Sequence, residues 1–132
     1  QLEAELAIKP VWRGLMGFSL GGLLAAYAAY RSGAFSRLAA VSASLWFDGW
    51  PEFAAAHAFH TPPQWAYFSV GDTEKNSRNP RLACVEENIR ATAECWRQRG
   101  VPAKFELNPG GHVNEVAQRM ARAVVWLAGN GD

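Results

Sequence analysis

The stretch GLMGFSLGG, residues 14–22, decides the fold of this chain. The apolar run over 11–18 predicts a short buried strand, and the almost wholly apolar segment over 20–31 predicts a helix. Ser19 therefore falls where a strand turns sharply into a helix. Such a turn lifts a serine hydroxyl clear of the sheet edge, and flanking glycines avoid side-chain clashes there. The pattern favours Ser19 as a nucleophile, with the amide of Leu20 and the positive helix end facing a developing oxyanion.

Two other interpretations of a glycine-rich turn are tight packing alone and phosphate binding. A dinucleotide-binding fingerprint requires Gly-x-Gly-x-x-Gly, and a P-loop requires Gly-Lys followed by Ser or Thr. Neither pattern occurs in the sequence. The main alternative to a nucleophile is therefore a turn that only packs tightly.

The rest of the chain alternates strands with helices. We predict a helix end over 2–8, and then, in turn, strands over 39–45, 65–70 and 103–107 and helices over 51–59, 80–99 and 113–127. Parallel strands need connections of a dozen or more residues, usually helical, and the connections here have that length. The expected fold class is α/β, with about four parallel strands and helices on both faces.

Boundary residues and periodicity define the last two helices. Asn79 and Pro80 suit the cap and the first position of one helix, and Gly100 ends it. In the final helix, the spacing predicts one apolar face formed by Val113, Val116, Met120, Val124 and Leu127.

Composition limits the possible functions. The 132 residues suit about one domain, and 49% of them are apolar, which is enough for a buried core. Thirteen basic and twelve acidic residues give a net charge of +1, and the sequence contains no long run of basic residues. A nucleic-acid partner is therefore not expected. The longest mostly apolar stretch, 15–30, is too short and glycine-broken to cross a bilayer, so no membrane partner is expected.

The two cysteines, Cys84 and Cys95, lie eleven residues apart in one predicted helix, which is about 16 Å along its axis. A disulfide needs Cα atoms within about 7 Å, so these two cannot pair, and their spacing fits no zinc pattern. We interpret them as reduced packing residues, which favours a reducing compartment such as the cytoplasm. The sequence implies no metal and no organic cofactor.

A nucleophilic serine needs a general base, and the base needs a third group to orient it. His112 is the best placed of the three histidines, because it ends the flexible loop NPGGH, residues 108–112, after the fourth predicted strand. His57 lies near the end of the predicted helix over 51–59 and His60 directly follows it, and we interpret both as surface residues. His112 is therefore the predicted base, with a helix-capping role as its alternative.

The orienting acid is expected at a strand end between the serine and the histidine. The third predicted strand is followed by Asp72 and Glu74, at the carboxyl end of a parallel strand where such sites assemble. Asp72 is preferred because it lies nearest the strand end, and Glu74, with its longer side chain, is the next choice. Asp48 is a third option but falls one strand early. Either carboxylate could instead be a cap or a solvated loop charge.

An aromatic cluster, Trp46, Phe47 and Trp50, follows the second predicted strand. It has two interpretations. It forms a wall for an acyl or aryl group beside the site, or it packs inside the domain. The sequence favours neither.

Four blocks of sequence together resemble the putative-esterase branch of the α/β-hydrolases: GLMGFSLGG (14–22), SASLW (42–46), SVGDTE (69–74) and PGGH (109–112). This branch includes the enterochelin (siderophore) esterases and is related to esterase D. The resemblance implies Ser19 as nucleophile and His112 as base, and it covers essentially the whole chain. It also implies about four earlier strands and a loop with the second oxyanion-hole amide. Residues 1–132 then form a single partial domain, the C-terminal half of an α/β-hydrolase.

The leading functional hypothesis is a serine esterase that acts on a small-molecule carboxylic ester, with siderophore lactones included, through an acyl-enzyme. Acyl transfer to an acceptor other than water uses the same nucleophile and is the alternative among enzymes. A non-catalytic, hydrolase-like fragment is the alternative from another class. With one backbone oxyanion donor, the chain alone is expected to hydrolyse esters weakly or not at all.

The strand over 11–18 is expected to leave one edge unpaired, next to apolar residues of the following helix: Leu23, Leu24, Tyr27 and Tyr30. Unpaired apolar edges are templates for pairing with another chain. We therefore expect self-association, or pairing with the remaining half of the domain, on this side.

Overall fold

The computed structural model describes residues 1–129, which contain one parallel four-stranded sheet. The strands lie side by side in chain order: β1 (Gly14–Phe18), β2 (Arg37–Val41), β3 (Trp65–Gly71) and β4 (Ala103–Asn108). All neighbouring pairs are parallel. The carboxyl ends of the four strands therefore meet at one edge of the sheet, where α/β proteins place their sites.

Helices cover both faces of this sheet. The α-helices of the described residues are α1 (Leu2–Glu5), α2 (Leu20–Arg31), α3 (Trp50–Ala56), α4 (Pro80–Ala83), α5 (Val85–Gln98) and α6 (Val116–Gly129), of which α2, α3, α5 and α6 contribute to the cores on the sheet. Residues of α2, α3 and α5 share one core with Leu38 and Ala40, whereas α6 packs with Ala39 and Val41 on the opposite face. Successive residues of a strand point to opposite faces, so β2 is buried from both sides. The expected α/β fold class is confirmed.

Several element boundaries differ from the prediction. β1 begins at Gly14 rather than at residue 11, and β2 spans Arg37–Val41 rather than 39–45. The apolar run continues past β2, but the backbone leaves the strand at Ser42, whose φ is 43°. The predicted helix over 80–99 is two helices, because Cys84 (φ −84°, ψ 4°) interrupts it between α4 and α5.

The predicted apolar face of the last helix is partly wrong: Leu127 is buried and Met120 packs against the same core, but Val113 and Val124 are exposed. The buried residues of the helix are Arg119, Ala123, Trp126 and Leu127, with a spacing of four, three and one. Val113 lies before α6 and is 79% exposed, and Val124 is 48% exposed. Because Arg119 lies on the buried face, a pattern of apolar residues alone does not identify that face.

The two cysteines are free thiols. Cys84 lies at the junction of α4 and α5, and Cys95 lies in α5 with its Sγ 3.9 Å from the carbonyl oxygen of Ala54. Across residues 1–129, no helix combines the length and the apolar character needed to cross a membrane.

β1 is an edge strand, with β2 as its neighbour in the described sheet. Apolar side chains are exposed on both flanks of this edge: Val11 is 98% exposed before the strand, and Leu24 is 61% exposed on α2. Tyr30, which was expected on this surface, is buried instead, and its hydroxyl accepts a hydrogen bond from Trp96 Nε1 at 2.8 Å. The exposed apolar surface of α2 is therefore narrower than predicted.

Candidate active site

Ser19 occupies the turn between β1 and α2 with an unusual backbone conformation (φ 58°, ψ −119°). Positive φ is rare for residues other than glycine, and the surrounding structure must stabilise it. Here the Ser19 N–H donates to the carbonyl oxygen of Val41, and the Ser19 carbonyl accepts from the Ser44 N–H, both at 3.0 Å. Two hydrogen bonds to the end of β2 and the turn after it therefore fix the serine at the carboxyl edge of the sheet.

Two of the glycines around Ser19 are required by space. A Cβ on Gly17 would lie 1.9 Å from the Gly21 carbonyl oxygen, and one on Gly22 would lie 2.8 Å from the Ala43 Cβ. A Cβ on Gly21 would meet nothing within 4 Å. The turn therefore needs glycine before the serine and at residue 22, while Gly21 has free space around it.

This difference predicts opposite stability effects for two neighbouring alanine substitutions. Gly17→Ala forces backbone atoms apart and is expected to lower the free energy of unfolding by more than about 2 kcal/mol. Gly21→Ala, in the first turn of α2, is expected to leave that free energy unchanged or raise it by up to about 1 kcal/mol. Urea denaturation of both variants measures the difference, and equal midpoints would contradict the packing described for the turn.

Leu20 is the first residue of α2. The first N–H groups of a helix have no partner within the helix, and they point along its positive end. The Leu20 N–H, which belongs to the residue after Ser19, is therefore at the position predicted for an oxyanion donor. Leu20 is 63% exposed.

His112 reaches Ser19 from the loop after β4. Its Nε2 lies 3.1 Å from the Ser19 Oγ, within hydrogen-bond distance. The imidazole ring packs against the Phe18 ring at a centroid distance of 4.7 Å, and 42% of its side chain is exposed. The loop thus brings the predicted base to the predicted nucleophile across the sheet edge.

Glu74 lies behind the histidine, in a 3-10 turn, Glu74–Asn76, that follows β3. Its Oε2 is 2.9 Å from His112 Nδ1, and its side chain is 4% exposed. The other oxygen, Oε1, accepts hydrogen bonds from the Gly71 N–H at 2.8 Å and from the Ser42 hydroxyl at 2.5 Å. Each oxygen of the carboxylate therefore has its own partners.

The preference for Asp72 over Glu74 is corrected by this geometry. Asp72 Oδ1 accepts a hydrogen bond from the Gly110 N–H at 2.9 Å, and the Asp72 N–H donates to the Asn108 carbonyl at 2.8 Å. Asp72 thus ties the histidine loop to β3, and Glu74, two residues later, reaches the imidazole. The residue nearest the strand end meets the neighbouring backbone first. Asp48, the third option, is an exposed partner of Arg81, with a closest distance of 3.0 Å.

The other two histidines lie away from this cluster. His57 Nδ1 is 2.9 Å from the carbonyl oxygen of Phe53 and its ring stacks on the Phe53 ring, while His60 Nδ1 is 3.2 Å from Thr61 Oγ1. These contacts suit the interpretation of both as surface residues.

The three residues of the aromatic cluster do not share one role: some line a cavity or groove, and one packs inside the domain. Trp46 lines a cavity of about 370 Å³ together with Ser19, Glu74 and His112. Trp50 is 4% exposed, and its Nε1 donates to Thr92 Oγ1 at 2.9 Å, so it is a packing residue. Phe47 is half exposed and lines a neighbouring apolar groove with Leu20.

Sequence reasoning missed three polar residues behind the site. Ser42, Asn108 and Arg119 are all nearly fully buried and connected to Glu74 or to the histidine loop. Asn108 appeared only as the first residue of a loop, and Arg119 is one of two arginines in a mostly apolar helix. The one available signal was that charged residue on a helix face that must be buried.

The family model Esterase, described as "Putative esterase", matches residues 1–122. A search of curated protein sequences finds no significant match. The fold is similar to that of an IroE-like serine hydrolase from Shewanella oneidensis (TM-score 0.69, 18% identity, 93% of this chain and 42% of that chain). It is also similar to the siderophore hydrolase EstB from Aspergillus nidulans (0.66, 18%, 96% and 54%) and to a ferulic acid esterase (0.65, 17%, 93% and 53%).

The chain spans about half the length of these three solved structures. At such identities the structural likeness shows the fold alone, which is that of α/β-hydrolase-like esterases. The family model, by contrast, matches the sequence from its first residue through the first half of α6. On that match, the chain belongs to the esterase family that this model describes.

Proposed function

We propose that this chain contains the catalytic residues of a serine esterase. The single observation behind the proposal is the continuous series of contacts from Ser19 Oγ to His112 Nε2 and from His112 Nδ1 to Glu74 Oε2. A hydroxyl, an imidazole and a buried carboxylate in this order form the arrangement that activates a serine. The chain order Ser19, Glu74, His112 is the order found in α/β-hydrolases.

In the proposed reaction, Ser19 Oγ attacks the ester carbonyl while His112 Nε2 takes its proton. Glu74 Oε2 accepts the Nδ1–H of His112, which fixes the tautomer and stabilises the imidazolium that forms. The carbonyl oxygen becomes an oxyanion near the Leu20 N–H. His112 then gives the proton to the departing alkoxide, and water, activated by the same imidazole, releases the acid from the acyl-enzyme.

The substrate class follows from the cavity beside Ser19. Its wall combines the apolar side chains of Trp46, Leu82 and Val85 with the Ser77 hydroxyl. This lining suits an ester with an apolar or aromatic portion and a few polar groups. We therefore propose a small carboxylic ester, a class that includes the siderophore lactones suggested by the sequence resemblance.

Labelling with a fluorophosphonate tests this proposal, because only an activated serine reacts quickly with the probe. Mass spectrometry of the labelled chain is expected to place the adduct on the peptide that contains Ser19. Hydrolysis of a panel of aryl, alkyl and lactone esters then ranks the substrates. If neither this chain nor a longer protein that carries the rest of the domain reacts with the probe or cleaves these esters, the non-catalytic alternative is favoured.

The edge of the sheet at β1 supports a second proposal, that the chain associates through this side. β1 has one paired neighbour, and Leu20 and Leu24 are more than 60% exposed on the adjacent helix α2. An unpaired edge beside exposed apolar side chains favours a second copy of the chain, or the other half of such a domain, as its cover.

This proposal predicts that the chain is larger than its 14.5 kDa monomer in solution. Light scattering is expected to show association that Leu24→Glu weakens, since the new charge would be buried in the contact. Val125→Glu is the matched control, because Val125 is 69% exposed on α6, at the opposite face of the sheet. A monodisperse wild-type monomer at high concentration would overturn the proposal.

A further inference from the structure

Arg119 is a buried arginine directly behind the candidate triad. It lies in α6, one face of which packs against the sheet, and it is 1% exposed. A cation removed from water is costly unless it is paired and its N–H groups are hydrogen-bonded. Its position therefore needs an explanation beyond the packing of α6.

The guanidinium of Arg119 contacts four separate parts of the site. Its Nε donates to Asn108 Oδ1 at the end of β4, at 3.1 Å, and its Nη1 lies 3.5 Å from the Gly111 carbonyl in the histidine loop. Its Nη2 donates to the Ser42 hydroxyl and lies 3.5 Å from Glu74 Oε1. One side chain thus joins α6, the end of β4, the turn after β2 and the carboxylate.

Ser42 connects the arginine to Glu74. The Ser42 Oγ accepts from Arg119 Nη2 and donates to Glu74 Oε1. A hydroxyl rotates to suit its partners, and the arginine N–H occupies an acceptor position, so the hydroxyl proton points toward the carboxylate. Ser42 is 1% exposed and its φ is 43°, a conformation that the local structure must maintain.

These contacts give the two oxygens of the Glu74 carboxylate different partners. Oε1 is surrounded by Ser42 Oγ, the Gly71 N–H and the Arg119 guanidinium. Oε2 is directed at His112 Nδ1. With one oxygen held by three donors, rotation of the carboxylate away from the imidazole would break all three contacts.

We propose that Arg119, acting through Ser42, is a positioning residue that holds the Glu74 carboxylate in the orientation required by His112. The inference rests on the proposed esterase function, in which His112 is the base. Arg119 touches neither Ser19 nor the proposed substrate position, so it acts on the reaction only through Glu74 and the histidine loop. Its positive charge also balances the buried carboxylate.

The test compares Arg119→Met, which removes the charge and every donor but preserves much of the stem, with Arg122→Met on the next turn of the same helix. Arg122 is exposed and pairs with Glu106 at 3.2 Å, a surface contact of small energetic value. In the wild-type chain, NMR is expected to show a downfield proton signal from the His112 Nδ1–H bonded to Glu74. Thermal unfolding of each variant reports whether it is folded.

We expect folded Arg119→Met to lose this proton signal and to lower kcat roughly 10- to 100-fold with little change in KM, the scale seen for groups that orient functional histidines from one step away. Arg122→Met is expected to retain the signal and the wild-type kcat. If Arg119→Met does not fold, Ser42→Ala makes the same test, since it removes the connecting hydroxyl and leaves the charge in place. Its expected result is the same loss of signal, with a cooperative unfolding transition retained.

The proton signal separates failure of this inference from failure of the proposed function. A chain that neither labels nor cleaves esters, yet loses the signal on Arg119→Met or Ser42→Ala, would support positioning by Arg119, and the same inactivity in a longer protein with the rest of the domain would refute the esterase. A folded Arg119→Met or Ser42→Ala with wild-type signal and kcat would overturn the inference. So would a wild-type chain without the signal.

Discussion

Replacing Ser19 with alanine is expected to abolish both labelling by a fluorophosphonate and hydrolysis of esters. The substitution removes the Oγ that lies 3.1 Å from His112 Nε2, so no acyl-enzyme can form. Loss of the nucleophile in an enzyme of this type typically lowers kcat by about 10⁴–10⁶. The measurement is the rate of probe incorporation and of ester turnover, each relative to the wild-type chain.

The matched control for Ser19→Ala is Ser32→Ala. Ser32 is the residue that follows α2, at the end of the helix opposite to Ser19, and its hydroxyl accepts from the Ala34 N–H at 3.1 Å. This variant is expected to label and turn over esters at the wild-type rate. Undiminished turnover in Ser19→Ala would refute the serine mechanism, whatever the behaviour of the control.

The local signals in the sequence were sufficient for the fold class and for the serine turn. The helix over 20–31 has its predicted bounds, and Trp65 begins both the predicted and the observed third strand. These elements have long apolar runs bounded by glycine, proline or a polar cap. Their type and approximate bounds can therefore be predicted from local sequence, without knowledge of tertiary contacts. Gly17, in β1, is likewise required for a reason that is local in sequence, because its Cβ would lie 1.9 Å from the Gly21 carbonyl oxygen.

The choice between Asp72 and Glu74 could not be made from the sequence, because it depends on a contact between β3 and the loop after β4. Gly110 comes close enough to β3 that its N–H meets the first carboxylate, and a Cβ on Gly71 would lie 2.3 Å from the Gly110 carbonyl. Only the longer side chain two residues later then extends to the imidazole. Two candidates on one loop are distinguished by tertiary contacts, which spacing does not contain.

The burial of Arg119 also depends on tertiary contacts that the spacing of residues in the sequence does not contain. An arginine in a periodic helix is ordinarily expected on the solvent face, and the face predicted for α6, which was chosen from apolar residues alone, did not include Arg119. The partners that make its burial possible, Ser42 and Glu74, lie 77 and 45 residues away in sequence. The buried network of Arg119, Ser42 and Glu74 therefore could not be predicted from the sequence alone.

Glu74→Gln is expected to lower kcat by about 10³–10⁴ if Glu74 orients His112, because an amide in its place stabilises neither the required tautomer nor the imidazolium. Asp72→Asn is the matched control. An asparagine Oδ1 can still accept the Gly110 N–H, so this variant is expected to change kcat only a few-fold. Steady-state kinetics of both variants at one pH, with fluorophosphonate labelling as a second rate, measures the contrast. Similar small losses in both would indicate a serine–histidine pair without an orienting acid, and a large loss in Asp72→Asn alone would return that role to Asp72.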